Sequence, residues 1–128
     1  MAKITLNKLS HSYLTKQNND SDWALRGVDI DWKDGGAYAL LGPSGCGKTT
    51  LLNIISGLLK PTKGEVFFDD KDVTKLNPVE RDIAQIFQFP VIYDTMTVYD
   101  NLAFPLKNRG LSVSEIDTKV KEIGEMLE

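Results

Sequence analysis

One short segment of the chain has residue types and spacing suited to binding phosphate groups. It fits the pattern G-x-x-x-x-G-K-S/T at every fixed position and consists of Gly42, Pro43, Ser44, Gly45, Cys46, Gly47, Lys48 and Thr49. Glycines let a backbone fold into a nest whose N–H groups converge on one anion. Lys48 can then reach the β- and γ-phosphates of a nucleoside triphosphate, Thr49 can bind Mg²⁺, and Thr50 is placed to donate to the α-phosphate. We therefore predict a phosphate-binding loop at residues 42–50.

The elements expected on either side of this loop suit that role. Residues 37–41 (AYALL) are a short apolar run between turn signals, which predicts a strand buried on both faces, as in a parallel sheet. Residues 48–56 place leucine and isoleucine at helical spacing, and Gly57 is suited to end that helix. A helix that starts at the loop adds the partial positive charge of its N-terminus. A glycine-rich turn that matched the pattern by accident is not expected in this context.

Four further segments predict strands. Residues 3–9 and 24–32 alternate apolar and polar side chains, so we expect them to form an antiparallel pair near the start of the fold. Residues 65–68 predict another strand, which ends in an aspartate-rich turn. The apolar residues 83–87 predict a short strand that leads into Gln88.

The last third of the chain has a helical pattern. Thr97 with Asp100, and Ser112 with Glu115, have the spacing of capping boxes that begin two helices. Pro105 is expected to end or kink the first of these helices. One face of the second helix is predicted to carry Ile116, Val120, Ile123 and Leu127.

Composition limits the classes of function. The 128 residues carry a net charge of −3, and their 15 basic and 18 acidic residues are intermixed, so we expect no nucleic-acid partner. The single cysteine, Cys46, excludes an internal disulfide and indicates an intracellular protein. No run approaches the roughly 20 apolar residues of a membrane-spanning helix. Any membrane contact is therefore expected to go through a partner.

Several segments together resemble the ATP-binding subunits of ABC transporters. A GTPase would need an N-K-x-D segment, and Asn7-Lys8 is followed by Leu9-Ser10, which fails that pattern. Lys48 and Gln88 lie 40 positions apart, a compact spacing similar to transporters and much shorter than in the related chromosome-maintenance ATPases. The resemblance covers about residues 3–109, and its anchors are Tyr13, residues 42–52, 55–58, 61–64 and 83–88.

The resemblance implies an α/β fold of the P-loop NTPase type, with an antiparallel β subdomain at the start and the beginning of a helical subdomain at the end. Residues 1–88 would be the nucleotide-binding core half and residues 89–128 the start of the helical subdomain. ATP and Mg²⁺ would be the bound groups. Tyr13 would stack on adenine, the alternative being a core or edge tyrosine. Gln88 would contact Mg²⁺ or the attacking water and would share the catalytic role with Lys48, the alternative being a polar residue at a strand end.

The same resemblance implies partners and a location. Residues 80–84 and 97–107 look most like importers of sugars, polyols or glycerol phosphates. Such an ATPase works as a dimer with a second ATPase subunit and binds transmembrane permease subunits, which residues 89–96 would face. It would be cytoplasmic and peripheral, on the inner face of the cell membrane.

Three motifs of that family are missing from these 128 residues: the signature loop, the Walker B aspartate with its catalytic glutamate, and the switch histidine. His11 precedes the phosphate loop, so we interpret it as a bystander. The chain is interpreted as the amino-terminal half of a subunit, able to bind ATP but not to hydrolyse it unaided. The alternatives are a non-transport ABC ATPase of repair or translation, and a short non-catalytic nucleotide-binding module.

Overall fold

A computed structural model describes residues 2–89 and 91–127. Met1, Pro90 and Glu128, which the predicted domains included, lie outside the described residues. The chain divides into two compact units, Met1–Ala84 and Gln85–Glu128.

A four-stranded antiparallel sheet forms the frame of the first unit. Its strands are β1 (Ile4–His11), β2 (Leu25–Trp32), β3 (Lys63–Phe68) and β4 (Lys71–Asp72), in the spatial order β2-β1-β3-β4. β1 therefore pairs with both β2 and β3. The antiparallel pair predicted at the start of the chain is confirmed, as is the strand predicted at residues 65–68.

Helix α1 (Lys48–Ser56) packs its apolar side against this sheet. Leu9 of β1, Ile54 of α1 and Val66 of β3 are fully buried. The buried cluster consists of Leu6, Leu9, Leu25, Leu51, Ile54, Ile55, Val66 and Val73. Because one sheet and one helix share this core, the start of α1 is held at a fixed position relative to β1 and β2.

The C-terminal end of α1 is closed in two ways. Gly57 adopts a left-handed conformation (φ +85°) and donates its N–H to the carbonyl of Ile54 at 3.1 Å, which confirms the predicted cap. Arg81, which is 5% exposed, donates from Nη1 to the carbonyls of Ile54 and Ile55, both at 2.9 Å. Burial lowers the pKa of Arg81, and the nearby Asp72 carboxylate opposes that shift. The α1 end is thus tied to residues late in the first unit.

Two predicted strands are absent, since residues 37–41 and 83–87 form neither helix nor strand. Leu41 is 88% exposed and Ile86 97% exposed, so both predictions are wrong. An apolar run becomes a strand buried on both faces only when neighbouring strands pair with it. The described sheet ends at β2 and β4 and reaches neither segment. Tyr38 instead stacks on Trp32, with ring centroids 5.4 Å apart.

Two capped helices make up most of the second unit: α2 (Val98–Asn108) and α3 (Val113–Leu127). Thr97 accepts the Asp100 N–H at 3.1 Å through its hydroxyl. The Ser112 hydroxyl accepts the Glu115 N–H at 3.4 Å, and the Glu115 carboxylate accepts the Ser112 N–H at 2.9 Å. Both helix starts predicted from capping boxes are therefore confirmed.

The two helices share a small core of Ala103, Ile116 and Val120. Pro105 lies inside α2, and the helix continues past it to Asn108. Pro105 was expected to end or kink the helix; that it ends the helix is wrong, and a kink stays a prediction. Leu127 is 76% exposed, so the predicted apolar face of α3 is buried only in its first half. In the described residues, no helix has the length and apolarity needed to cross a membrane.

Candidate functional site

The predicted phosphate loop lies at the surface and runs directly into α1. Gly45 and Gly47 have φ values of +80° and +93°, in the left-handed region that glycine adopts without strain. A β-carbon on Gly47 would lie 2.6 Å from the carbonyl oxygen of Ala24, whereas one on Gly45 would meet nothing within 4 Å. Position 45 therefore needs glycine because of its backbone conformation, and position 47 needs it both for its conformation and for lack of space.

The N-terminal turn of α1 offers its backbone N–H groups to a ligand. The first N–H groups of any α-helix lack a partner within the helix. The residue at the cap position is Gly47, which has no side chain to accept them. Leu51 donates to the Gly47 carbonyl at 2.9 Å, so regular helical bonding starts there. Donors that the helix itself leaves without a partner, together with the positive end of the helix dipole, suit an anion at the loop.

The Lys48 ammonium is folded back into the loop. Its Nζ donates to the carbonyl oxygens of Gly42 at 2.8 Å and Pro43 at 2.7 Å, and to Sγ of Cys46 at 3.5 Å. These acceptors hold the positive charge inside the curve of the loop. A bound phosphate would compete with neutral carbonyls for the ammonium, and a charged acceptor makes the stronger hydrogen bond.

Tyr13 lies beside the same turn of α1. Its hydroxyl is 3.0 Å from Oγ1 of Thr50, although 37 positions separate the two residues in the chain. Tyr13 is 66% exposed, so most of its ring faces solvent. The fold thus places an accessible aromatic face next to the predicted α-phosphate donor. Stacking of Tyr13 on a base stays a prediction.

The metal prediction rests on one hydroxyl in the first unit. Thr49 is exposed at the start of α1, adjacent to Lys48. Across residues 2–89 and 91–127, no three His, Cys, Asp or Glu residues come together as a metal cluster. Mg²⁺ is commonly held by few protein groups together with phosphate oxygens and water. One accessible hydroxyl beside an anion site fits that kind of binding.

Gln88, the other predicted metal and catalytic residue, belongs to the second unit. It is exposed, in a segment without helix or strand that follows Ala84. The structure brings Tyr13, Lys48 and Thr50 together within the first unit, whereas the approach of Gln88 to the loop stays a prediction.

The segment predicted to face a membrane partner is apolar and exposed. Pro90 of that range lies outside the described residues, and the exposed apolar side chains around it are Phe89, Val91, Ile92 and Tyr93. The backbone at Tyr93 is fixed to α2, because its N–H donates to Oδ1 of Asn101 at 2.9 Å. The same amide side chain returns a hydrogen bond to the Tyr93 carbonyl at 3.1 Å.

Sequence reasoning missed two buried residues of the first unit. Arg81 lies in a polar stretch that looks exposed in the sequence, so no periodic signal marked its burial. His11 was interpreted as a bystander, yet it is buried and its ring contacts that of Tyr13, with centroids 4.7 Å apart. Regular alternation from Ile4 and Leu6 would point His11 away from the buried side. The register shift between Leu6 and Leu9 brings Leu9 and His11 to the buried side, and no sequence pattern marked that shift.

Comparison with known proteins gives matches that cover about four fifths of the chain or all of it. A family model described as ABC transporter matches residues 25–128. The chain is 43% identical over its full length to the sn-glycerol-3-phosphate import ATP-binding protein UgpC of Ralstonia nicotianae. It is 47% identical, in an alignment 110 residues long that covers 81% of the chain, to the trehalose/maltose import ATP-binding protein MalK of Thermococcus litoralis.

A solved structure is similar in fold. It is a dimeric ATP-binding cassette in a post-hydrolysis state bound to ADP and Pi, with a TM-score of 0.76 and 31% identity over 93% of this chain. The match covers 54% of that cassette. The chain spans 33% and 30% of the lengths of the two curated relatives, or about a third.

Proposed function

Because this chain belongs to the ABC transporter family, we propose that it is the ATP-binding part of an importer ATPase that couples ATP binding and hydrolysis to solute uptake. The observation that carries the proposal is the joint placement of Lys48, the N-terminal turn of α1 and the exposed ring of Tyr13 at one end of one helix. A cation and a set of backbone donors suit the phosphates of a nucleoside triphosphate, and an aromatic face suits its base.

Each part of the nucleotide has a complementary group in this arrangement. The β- and γ-phosphates would take the Lys48 ammonium from the carbonyls of Gly42 and Pro43, which now hold it. The α-phosphate would accept from the Thr50 hydroxyl. Thr49 would hold Mg²⁺, which supplies positive charge that neutralises the phosphates. The face of Tyr13 would receive the base.

Hydrolysis requires groups beyond this set. Gln88 would orient the attacking water, because its amide offers both a donor and an acceptor. The 128 residues contain no candidate for the catalytic glutamate or the signature loop of the family. We therefore expect the chain alone to bind ATP and to hydrolyse it negligibly.

The solute and the partners follow from the relatives. Both curated relatives are named as import proteins, one for sn-glycerol-3-phosphate and one for trehalose and maltose. We extend this to a sugar, polyol or glycerol phosphate as the solute of the present system. A permease subunit would bind the exposed apolar residues Phe89, Val91 and Ile92. The ATPase would lie on the inner face of the membrane and pair with a second ATPase subunit.

Calorimetric titration with ATP, ADP and AMP in Mg²⁺ tests the proposal at the nucleotide. AMP has no β- or γ-phosphate for Lys48, so it should lose a charge-assisted interaction of about 1.5–3 kcal/mol and bind roughly 10- to 150-fold more weakly than ATP. Equal affinity for AMP and ATP would contradict the assignment. Loss of labelled glycerol 3-phosphate or maltose uptake in cells that lack the encoding gene would support the solute class, and unchanged uptake of both would count against it.

A further inference from the structure

His11 is a buried residue at the end of β1 that the proposed function does not use. It is 6% exposed, and its Nδ1 lies 3.4 Å from Oγ1 of Thr62. Its Nε2 is buried and has no hydrogen-bond partner among the described residues. A buried nitrogen without a partner is costly, and a histidine that only filled space would be expected to have both nitrogens satisfied. Besides the contact at Nδ1, the ring itself makes a second side-chain interaction.

That interaction is with Tyr13. The two rings are perpendicular, with an interplanar angle of 85° and centroids 4.7 Å apart, which is the favourable edge-to-face arrangement. The hydroxyl of Tyr13 is fixed at the opposite end by Thr50, at 3.0 Å. Tyr13 is thus contacted at its ring by His11 and at its hydroxyl by Thr50, and about two thirds of the residue is exposed.

We propose that His11 is a positioning residue for base recognition: it presets the ring of Tyr13 so that the nucleoside part of the ligand stacks without first ordering that ring. This inference rests on the proposed function, since it presumes that the loop binds a nucleotide and that Tyr13 receives its base. An exposed tyrosine would otherwise sample several rotamers, and fixing it in advance removes that cost from binding. His11 acts only through Tyr13, so its effect should be absent for a ligand without a base.

The hydroxyl contact remains compatible with a bound phosphate. Each hydroxyl has one hydrogen to donate and two acceptor positions. If Thr50 donates to the α-phosphate, Tyr13 can donate to Oγ1 of Thr50, and the 3.0 Å contact is kept. The ring held by His11 therefore stays in place while the phosphates bind.

The test compares ATP with inorganic triphosphate, both with Mg²⁺, by calorimetry on the purified chain. His11→Leu fills a similar space without an aromatic ring, and His11→Phe is the matched control that keeps one. We expect His11→Leu to weaken ATP binding about 2- to 10-fold while leaving triphosphate binding unchanged, and His11→Phe to retain wild-type values for both ligands. Tyr13→Leu, at an exposed position, should weaken ATP binding selectively, and His11→Leu should add nothing in that background.

The remaining outcomes each overturn the proposal. An equal loss for ATP and triphosphate in His11→Leu would make His11 a residue of the core only. A selective effect of His11→Leu that persists in the Tyr13→Leu background would show that it does not act through Tyr13. If the wild-type chain binds triphosphate but Tyr13→Leu leaves ATP affinity unchanged, the positioning role fails while the phosphate site stands. If the wild-type chain binds neither ligand, the proposed function itself fails.

Discussion

Replacing Arg81 with methionine removes a buried cation that connects the end of α1 to the rest of the first unit. The guanidinium donates to the carbonyls of Ile54 and Ile55 in the last turn of α1, both at 2.9 Å. It also donates to the carbonyls of Leu76 at 3.0 Å and Thr74 at 3.1 Å. Methionine keeps part of the apolar stem but leaves all four acceptors without this donor.

The expected loss of stability follows from those contacts. A hydrogen bond that involves a charged group contributes about 1.5–3 kcal/mol, so four independent bonds would exceed the whole stability of a marginal domain. The four are not independent, because they share one buried charge and water can enter to reach the carbonyls. We expect Arg81→Met to lower the free energy of unfolding by about 3–5 kcal/mol, which is more than the roughly 1–3 kcal/mol of one buried acceptor left unpaired and less than the sum over four such acceptors.

Urea titration followed by tryptophan fluorescence measures this loss of stability in the first compact unit, because both tryptophans, Trp23 and Trp32, lie in that unit. Arg26→Met is the matched control. Arg26 makes an exposed ion pair with Asp20 at 2.8 Å, so its loss should cost less than about 1 kcal/mol. Arg81→Lys keeps the charge with fewer directed donors and should fall between the two. A loss below about 1 kcal/mol in Arg81→Met, equal to the control, would refute the reasoning.

The remaining predictions concern the loop and the second unit. Gly45→Ala should cost about 1–2 kcal/mol from left-handed strain, and Gly47→Ala at least about 1 kcal/mol more because its β-carbon would meet the Ala24 carbonyl, both measured by urea titration without nucleotide. Hydrogen bonds from Ser112 lower the pKa of Glu115 in the folded chain. The contribution of this carboxylate to helix stability is therefore present above the pKa of the unfolded chain, and it is lost as the pH falls through the lowered pKa of the folded chain. Glu115→Gln should reduce the acid-induced loss of helix seen by circular dichroism. Alkylation of Cys46, which is exposed, should block nucleotide binding, and ATP should protect the thiol.

Each of these predictions has a clear contradictory result. Equal costs for the two glycine substitutions would mean that the Ala24 carbonyl moves aside without penalty. An unchanged acid transition in Glu115→Gln would mean that the capping carboxylate does not contribute to the helix it begins. Equal labelling of Cys46 with and without ATP would place the nucleotide away from the loop.

Local patterns predicted the elements whose bonding is local. The capping boxes at Thr97 and Ser112 were recognisable because both partners lie within one turn of the chain. The helix after the phosphate loop followed from its own apolar spacing and the glycine at its end. The first two strands followed from alternation, because each buries only one face.

Features that depend on distant neighbours were not predictable in the same way. The apolar run at residues 37–41 has the composition of a buried strand, but pairing requires adjacent strands that the described sheet does not provide. Arg81 is buried because carbonyls from two separate segments surround it, and no local pattern records that. The contact between Tyr13 and Thr50 joins residues 37 positions apart, so only the fold reveals it.

The most direct test of the nucleotide site is the affinity of Lys48→Ala for Mg-ATP, measured by calorimetry beside Lys60→Ala. Both substitutions remove one lysine charge from the same unit, but Lys60 is exposed beyond the other end of α1. Loss of the Lys48 ammonium should remove about 1.5–3 kcal/mol of charge-assisted bonding and weaken ATP binding roughly 10- to 150-fold. Lys60→Ala should bind as the wild type does. An unchanged affinity in Lys48→Ala, or an equal loss in both variants, would contradict the assignment of residues 42–50 as the phosphate-binding loop.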